Sequence, residues 1–282
     1  MMFRVLFVTL LLIAWRPDAQ AVPHLVKFCG ETCSGGEQCN LDNDLSCATN
    51  PAVTITGGAD FDFKGYTITC SGCGAATGIA VTGTSSNTTI EDTGKANGAR
   101  GGIVGYPLGI SCGYQNNSLV RNVKIDVATS QSTSSGIDGC RKIQGAVVLN
   151  AKNYGIVNQD VGDSDYIKDS YIMGAYAPPP YGSGTGIGIW LDGDGSGEVD
   201  HNVIGNTSTF SILAYFTSDD LEVTNNMLFN QTYGSGLIAT GQYEPVMYGN
   251  VCGDPDALYN NACASCISAG ACEPVAQPQV VP

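Results

Sequence analysis

The chain has 282 residues, with 12 Lys plus Arg against 26 Asp plus Glu and a formal net charge of −14. No Lys or Arg follows Lys168, so the balance argues against nucleic acid and anionic membrane surfaces as partners. Twelve cysteines beside only 2 histidines point to disulfides and away from a zinc centre.

In chain order, Arg4 precedes an apolar run from Val5 to Trp15 that closes on Ala19-Gln20-Ala21, a small-x-small cleavage signal. Residues 1–21 are therefore expected to be a secretory signal peptide, and no later run has the length and apolarity to insert in a membrane. Residues 22–50 hold Cys29, Cys33, Cys39 and Cys47 with little periodicity, and are expected to form a Cys-rich cap. Cys70-Ser-Gly-Cys73 reads as a turn disulfide, as two cysteines with separate partners, or as a redox pair, the last being less suited to an extracellular chain.

From Pro51 the pattern changes to short β-rich runs, such as Val53-Thr-Ile55 and Asp60-Phe-Asp-Phe63-Lys-Gly65-Tyr-Thr-Ile68. Further on the chain repeats itself. Val199-Asp-His-Asn202-Val-Ile204 recurs as Val223-Thr-Asn-Asn226-Met-Leu228 and, after the same interval again, as Met247-Tyr-Gly-Asn250-Val-Cys252. An earlier copy is Ile167-Lys-Asp-Ser170-Tyr-Ile172, and the phase is looser at Asn122 and Ala146. A fixed period of this kind indicates stacked units in a solenoid. Gly-Ile pairs also recur, at Gly102-Ile103, Gly109-Ile110, Gly136-Ile137, Gly155-Ile156 and Gly186-Ile187.

Residues 51–252 resemble right-handed parallel β-helix proteins of the pectin-lyase-like superfamily. The resemblance rests on the Asp60–Ile68 opening, the Gly-Ile pairs and the Asn-bearing motif. It implies three short strands per coil, with Gly-Ile marking the first and the Asn motif marking the turn between the second and third. The fold expected is an all-β, single-stranded, right-handed parallel β-helix solenoid of seven or eight coils with disulfide-rich end caps, the second cap being residues 253–282. Ser170, Asn202, Asn226 and Asn250 would then stack as an internal ladder, about 4.8 Å apart.

The interval from Ile167 to Val199 is longer than the others, and its surplus falls in the Pro-rich segment 175–184. Solenoid insertions map to loops, often on the binding face, so Tyr176 and Tyr181 are expected beside a ligand. Stepping the coils by the motif's own intervals stacks Asn158 under Trp190 and Asp160 under Asp192 and Phe216. If that column faces outward, Asp160 and Asp192 would be paired carboxylates for acid–base hydrolysis or a bridging calcium, while Trp190, Phe216 and Asn158 would bind sugar. Solvated turn carboxylates are the competing reading. Asp192-Gly-Asp194-Gly-Ser196 matches the first half of a calcium loop, but the twelfth position is Val203 instead of Glu, so a plain Asp/Gly turn competes there too.

His201 lies inside the repeat motif and reads as a turn residue. Arg100, Arg121 and Arg141 are candidates for the base of a uronate lyase. None lies in an Arg-x-Pro-x-x-Arg motif, and neither Asn-Thr-Asp with Gly-His-Gly nor Asp-Pro-His-Glu occurs. Two functions follow as expectations. One is a secreted hydrolase or lyase of an extracellular polysaccharide, and the other a non-catalytic module binding a polysaccharide or surface glycan. Asn87, Asn116, Asn206 and Asn230 begin glycosylation sequons.

Overall fold

A computed structural model of the chain describes residues 22–274, apart from 84–86, 95–99, 115–116, 128–133, 163, 176–185, 194, 217–219, 230–236, 242–245 and 254–271. The expected signal peptide, Tyr176, Tyr181 and Asp194 lie outside the described residues, as do the sequon residues Asn116 and Asn230.

The described residues are all-β. Their strands form three parallel sheets of 9, 10 and 10 strands, and from Glu31–Cys33 through Met227–Phe229 each strand pairs with the third one after it, so every turn of chain adds one strand to each sheet. Nine such turns are present, from Glu31–Cys33 through Asn250–Gly253, and Cys272–Pro274 adds a further strand to the third sheet. The count exceeds the seven or eight expected because residues 22–50 supply the first strands of the stack: His24–Val26, Glu31–Cys33, Gln38–Leu41 and Leu45–Cys47. Inward positions filled by Ile elsewhere are filled there by sulfur. Cys33 stacks on Ile55 and Cys39 on Phe61, all fully buried, and Cys33–Cys39 bond across the core. Cys29–Cys47, Cys70–Cys73 and Cys112–Cys140 are also bonded, a pattern that fits an oxidising environment.

Within a turn the order is first, second, third sheet. The first sheet aligns Ile79, Ile110, Ile137, Ile156, Ile189 and Ile212. The second aligns Ile143, Ile167, Val199 and Val223, and the third Val148, Ile172, Ile204 and Leu228. All of these are buried, giving a continuous aliphatic core in which like stacks on like.

The glycines before Ile79, Ile110, Ile137, Ile156 and Ile189 are set by close approach, while Ser211 holds the same place before Ile212. A Cβ on Gly155 would meet Gly188 O at 2.6 Å as well as Ile172 of the third sheet. Two of the recurring pairs take other places: Gly102-Ile103 lies in the third sheet, and Gly188-Ile189, not Gly186-Ile187, occupies the first-sheet column. Residue 186 instead lies in the turn before that strand, with φ 78°.

The repeat motif forms the turn from the second sheet to the third. Its reversal needs one left-handed residue per turn: Asn122, Gly145, Asp169, His201, Asn225 and Gly249 all have φ between 53° and 66°. Gly, Asn and Asp enter this region most readily, and His201 is the exception in size. The residue after it turns inward, and there the ladder forms. Asn226 Oδ1 accepts from Asn202 N and Nδ2, both at 3.0 Å, while Asn226 Nδ2 donates to Val199 O at 2.9 Å and Asn250 Oδ1 at 2.9 Å. Asn250 repeats this toward Val223 O at 2.7 Å, and Ser170 N donates to Asn202 Oδ1 at 3.0 Å.

Asn226→Ala should therefore leave Asn202 N and Val199 O buried without partners, and lower stability by about 3 kcal/mol in urea denaturation. His201→Asn, which keeps the left-handed residue, should leave the midpoint nearly unchanged.

Candidate functional site

A set of aromatic and acidic groups lies along the outside of the first sheet. In strand Ile187–Gly193, Ile189 and Leu191 are buried, so by alternation Trp190 and Asp192 face outward. Tyr154 opens strand Tyr154–Asn158 one turn earlier, and its ring lies 4.8 Å from that of Trp190, tilted by 43°. One turn later Leu213 pairs with Trp190 and Tyr215 with Asp192; Tyr215 is 54% exposed. In the other direction Trp190 pairs with Val157, and Val157 with Asp138. Asp138, Trp190 and Leu213 thus share one outward column.

Asp138 borders an open groove of about 220 Å³ lined also by Thr77, Leu108, Ser134, Ser135 and Asn153. Tyr114 donates its hydroxyl hydrogen bond to Asp138 Oδ1. Burial raises the Asp138 carboxyl above its ordinary range, and the Tyr114 bond offsets this only in part. Burial, then the bond to Asp138, pushes the Tyr114 phenol up in turn. Arg141 ties the rim together, donating from Nε to Tyr114 O at 3.2 Å and from a terminal nitrogen to Asp160 Oδ2 at 3.2 Å. Sequence reasoning did not single out Asp138, Tyr114 or Tyr154. The Gly136-Ile137-Asp138 strand carried a usable signal, because in a first strand aligned on its isoleucine the next residue faces out.

The register corrects the expected stacking by one residue. Asn158 aligns with Leu191, not Trp190, and Asp192 aligns with Tyr215, while Phe216 aligns with Gly193. The cause is a mismatch between the intervals of two sheets. Aligned positions in the first run Ile156, Ile189, Ile212, Leu237, and in the second Ile167, Val199, Val223, Met247. Each first-sheet interval is thus longer or shorter by one than its second-sheet counterpart. A one-residue slip exchanges the inner and outer faces. Asn158 accordingly faces inward at 2% exposure, and its Nδ2 lies 3.5 Å from Asp165 Oδ2. Both border a small, half-open cavity of about 10 Å³, room for a single water. Asp160 lies past the strand end, mostly exposed and paired with Arg141.

The turn after Asp192 packs directly on the preceding coil. Val161 N donates to Asp192 O at 3.0 Å, Gly195 N donates to Val161 O at 3.1 Å, and a Cβ at residue 193 or 195 would meet Val161 O at 2.9 or 2.7 Å. The glycines of the calcium-like motif therefore have a packing reason of their own. Ser196 lies in this turn, and Phe216 ends strand Ile212–Phe216. Among the described residues, the one His/Cys/Asp/Glu group at ligand spacing is His24, Cys33 and Cys39, whose sulfurs are bonded to each other.

His201 lies away from this face, in the turn from the second to the third sheet. Its Nδ1 hydrogen-bonds Asp200, which holds the ring above its ordinary pKa. Asp200 also accepts from Thr224 Oγ1 at 2.7 Å and Asn225 Nδ2 at 2.9 Å. Comparison with family models, curated proteins and solved structures finds no match for this chain.

Because the folded Asp138 carboxyl is raised, its ionisation costs the fold free energy. The cost is absent below the unfolded pKa of about 3.9, grows as pH rises through the folded value, and persists above it. Asp138→Asn, which keeps an acceptor for Tyr114, should thus melt higher than the parent protein at pH 7, with the advantage vanishing by about pH 3.5 in a melting series.

Proposed function

We propose that this is a secreted protein that binds an extracellular polysaccharide along the outer face of its first sheet. The observation that carries this reading is the Tyr154–Trp190 ring pair, continued by exposed Tyr215 and bordered by the groove at Asp138. Sugar rings offer C–H faces to aromatic platforms and hydroxyls to carboxylates and amides, and this face presents both. The stack itself is read as a right-handed single-stranded β-helix of the pectin-lyase-like kind. Nearly all parallel crossovers in one sheet are right-handed, and each coil here is such a crossover. Four disulfides and the expected leader support export, and Asn87 and Asn206, both exposed, are the described sequon positions.

A hydrolytic reading is favoured by one observation, the raised carboxyl of Asp138 in the groove. Spacing weighs against it. Asp138 lies two coils and two residues from Asp192, about 12 Å between backbones at ~4.8 Å per coil and ~3.3 Å per residue, and its carboxyl is held by Tyr114 instead of set opposite Asp192 at the ~6.5–9.5 Å carboxyl separation of inverting glycosidases. Binding without turnover is therefore the conclusion, and release of reducing ends or unsaturated products from any polymer would overturn it. A calcium ion near Asp192 and Ser196 belongs to the same proposal as an aid to loop order, and a melting temperature indifferent to chelator removes it.

Trp190→Ala should weaken retention in affinity electrophoresis about tenfold, since stacked aromatic contacts are each worth about 1 kcal/mol or more. Unchanged retention would dismiss the aromatic face as the binding surface.

A further inference from the structure

Charge along the stack is distributed unevenly, and the uneven part includes the aromatic face. The basic side chains of the described residues end at Lys168, in the second sheet. Trp190, Asp192 and Tyr215 lie one and two coils further on, where Glu198, Asp200, Asp220 and Glu222 are the charged neighbours in sequence. At the other end of the face Arg141 is already paired with Asp160 at 3.2 Å. Lys152, in the turn before Tyr154, is the other cation beside the groove residue Asn153. Lys168 answers Glu198 across the coil at 2.5 Å and His201 bonds Asp200, but no further Lys or Arg follows, so a ligand lying on Trp190 and Tyr215 meets a field that stays negative on balance.

Resting on the glycan reading above, we propose that this face selects a cationic, amino-sugar polysaccharide and rejects polyuronates. Each pyranose ring would stack on Trp190 or Tyr215 while its ammonium group approaches Asp192, which faces outward between them in register with Tyr215. A uronic polymer carries a negative charge on every residue and would be repelled at the same positions. An N-acetylated or plain neutral polymer would keep the stacking and lose the ion pair. The same field raises the arrival rate of a polycation and makes it depend on salt.

The test is calorimetric titration of the whole protein near pH 6, where both amines and carboxylates are charged. Three oligosaccharides of equal length are compared: a glucosamine oligomer, its N-acetylated counterpart and an oligogalacturonate. The expected result is that the glucosamine oligomer binds about tenfold more tightly than the acetylated one at low salt, the share of one charge-assisted contact. That gap should close in about 0.5 M salt, and the galacturonate should show no binding. Asp192→Asn should remove about the same tenfold for the glucosamine oligomer alone and leave binding of the acetylated oligomer unchanged, which serves as the control for folding. Equal binding of the acetylated oligomer, or any tighter binding of the galacturonate, overturns the charge selection and leaves glycan binding standing. No heat with all three overturns glycan binding and the selection together.

Discussion

The reversal between the second and third sheets is the constraint on which the stack depends. From Ile167 onward, the inward residue of the second sheet is followed five positions later by the inward residue of the third, as in Ile167 and Ile172, Val199 and Ile204, or Val223 and Leu228. So short a link suffices because one residue adopts a left-handed backbone and the next buries a side chain whose amide or hydroxyl meets the neighbouring coils. Burying Asn202, Asn226 and Asn250 would be costly alone. As a column, each amide satisfies backbone groups that the reversal would otherwise leave unpaired.

This also explains what was legible in the sequence. The column of Ser170, Asn202, Asn226 and Asn250 could be read because one short turn fixes both residue type and interval. The Cys-rich stretch 22–50 could not be read as coil, since Cys33 and Cys39 occupy core positions that an aliphatic pattern search overlooks. Upstream, Val123 and Ala146 hold the same place without an amide, so the column continues while its signature fades.

The outward placement of Trp190 and Asp192 was legible, and their neighbours were misplaced. Trp190 and Asp192 face outward from the first sheet, but the partners inferred for them came from second-sheet spacing. First-sheet strands are reached through turns of unequal length, so their step is short from Ile137 to Ile156 and long from Ile156 to Ile189. Asn158 on that account joins Asp165 in the interior, and Asp138, one place past Ile137 in the aligned column, lies beside Tyr114 instead.

The unequal steps carry a consequence for how such a molecule changes over time. Two faces are geared together through a short link of fixed length, while the third is coupled to them through turns that gain or lose a residue independently. An insertion or deletion in those turns slides one strand's side chains against its neighbours and leaves the amide column untouched. The first sheet can thus be re-indexed coil by coil, bringing a different aromatic or acidic side chain to the outside from the same set of strands. The rigid turn is what makes that freedom tolerable: the scaffold stays fixed on one side while the outer surface is edited on the other.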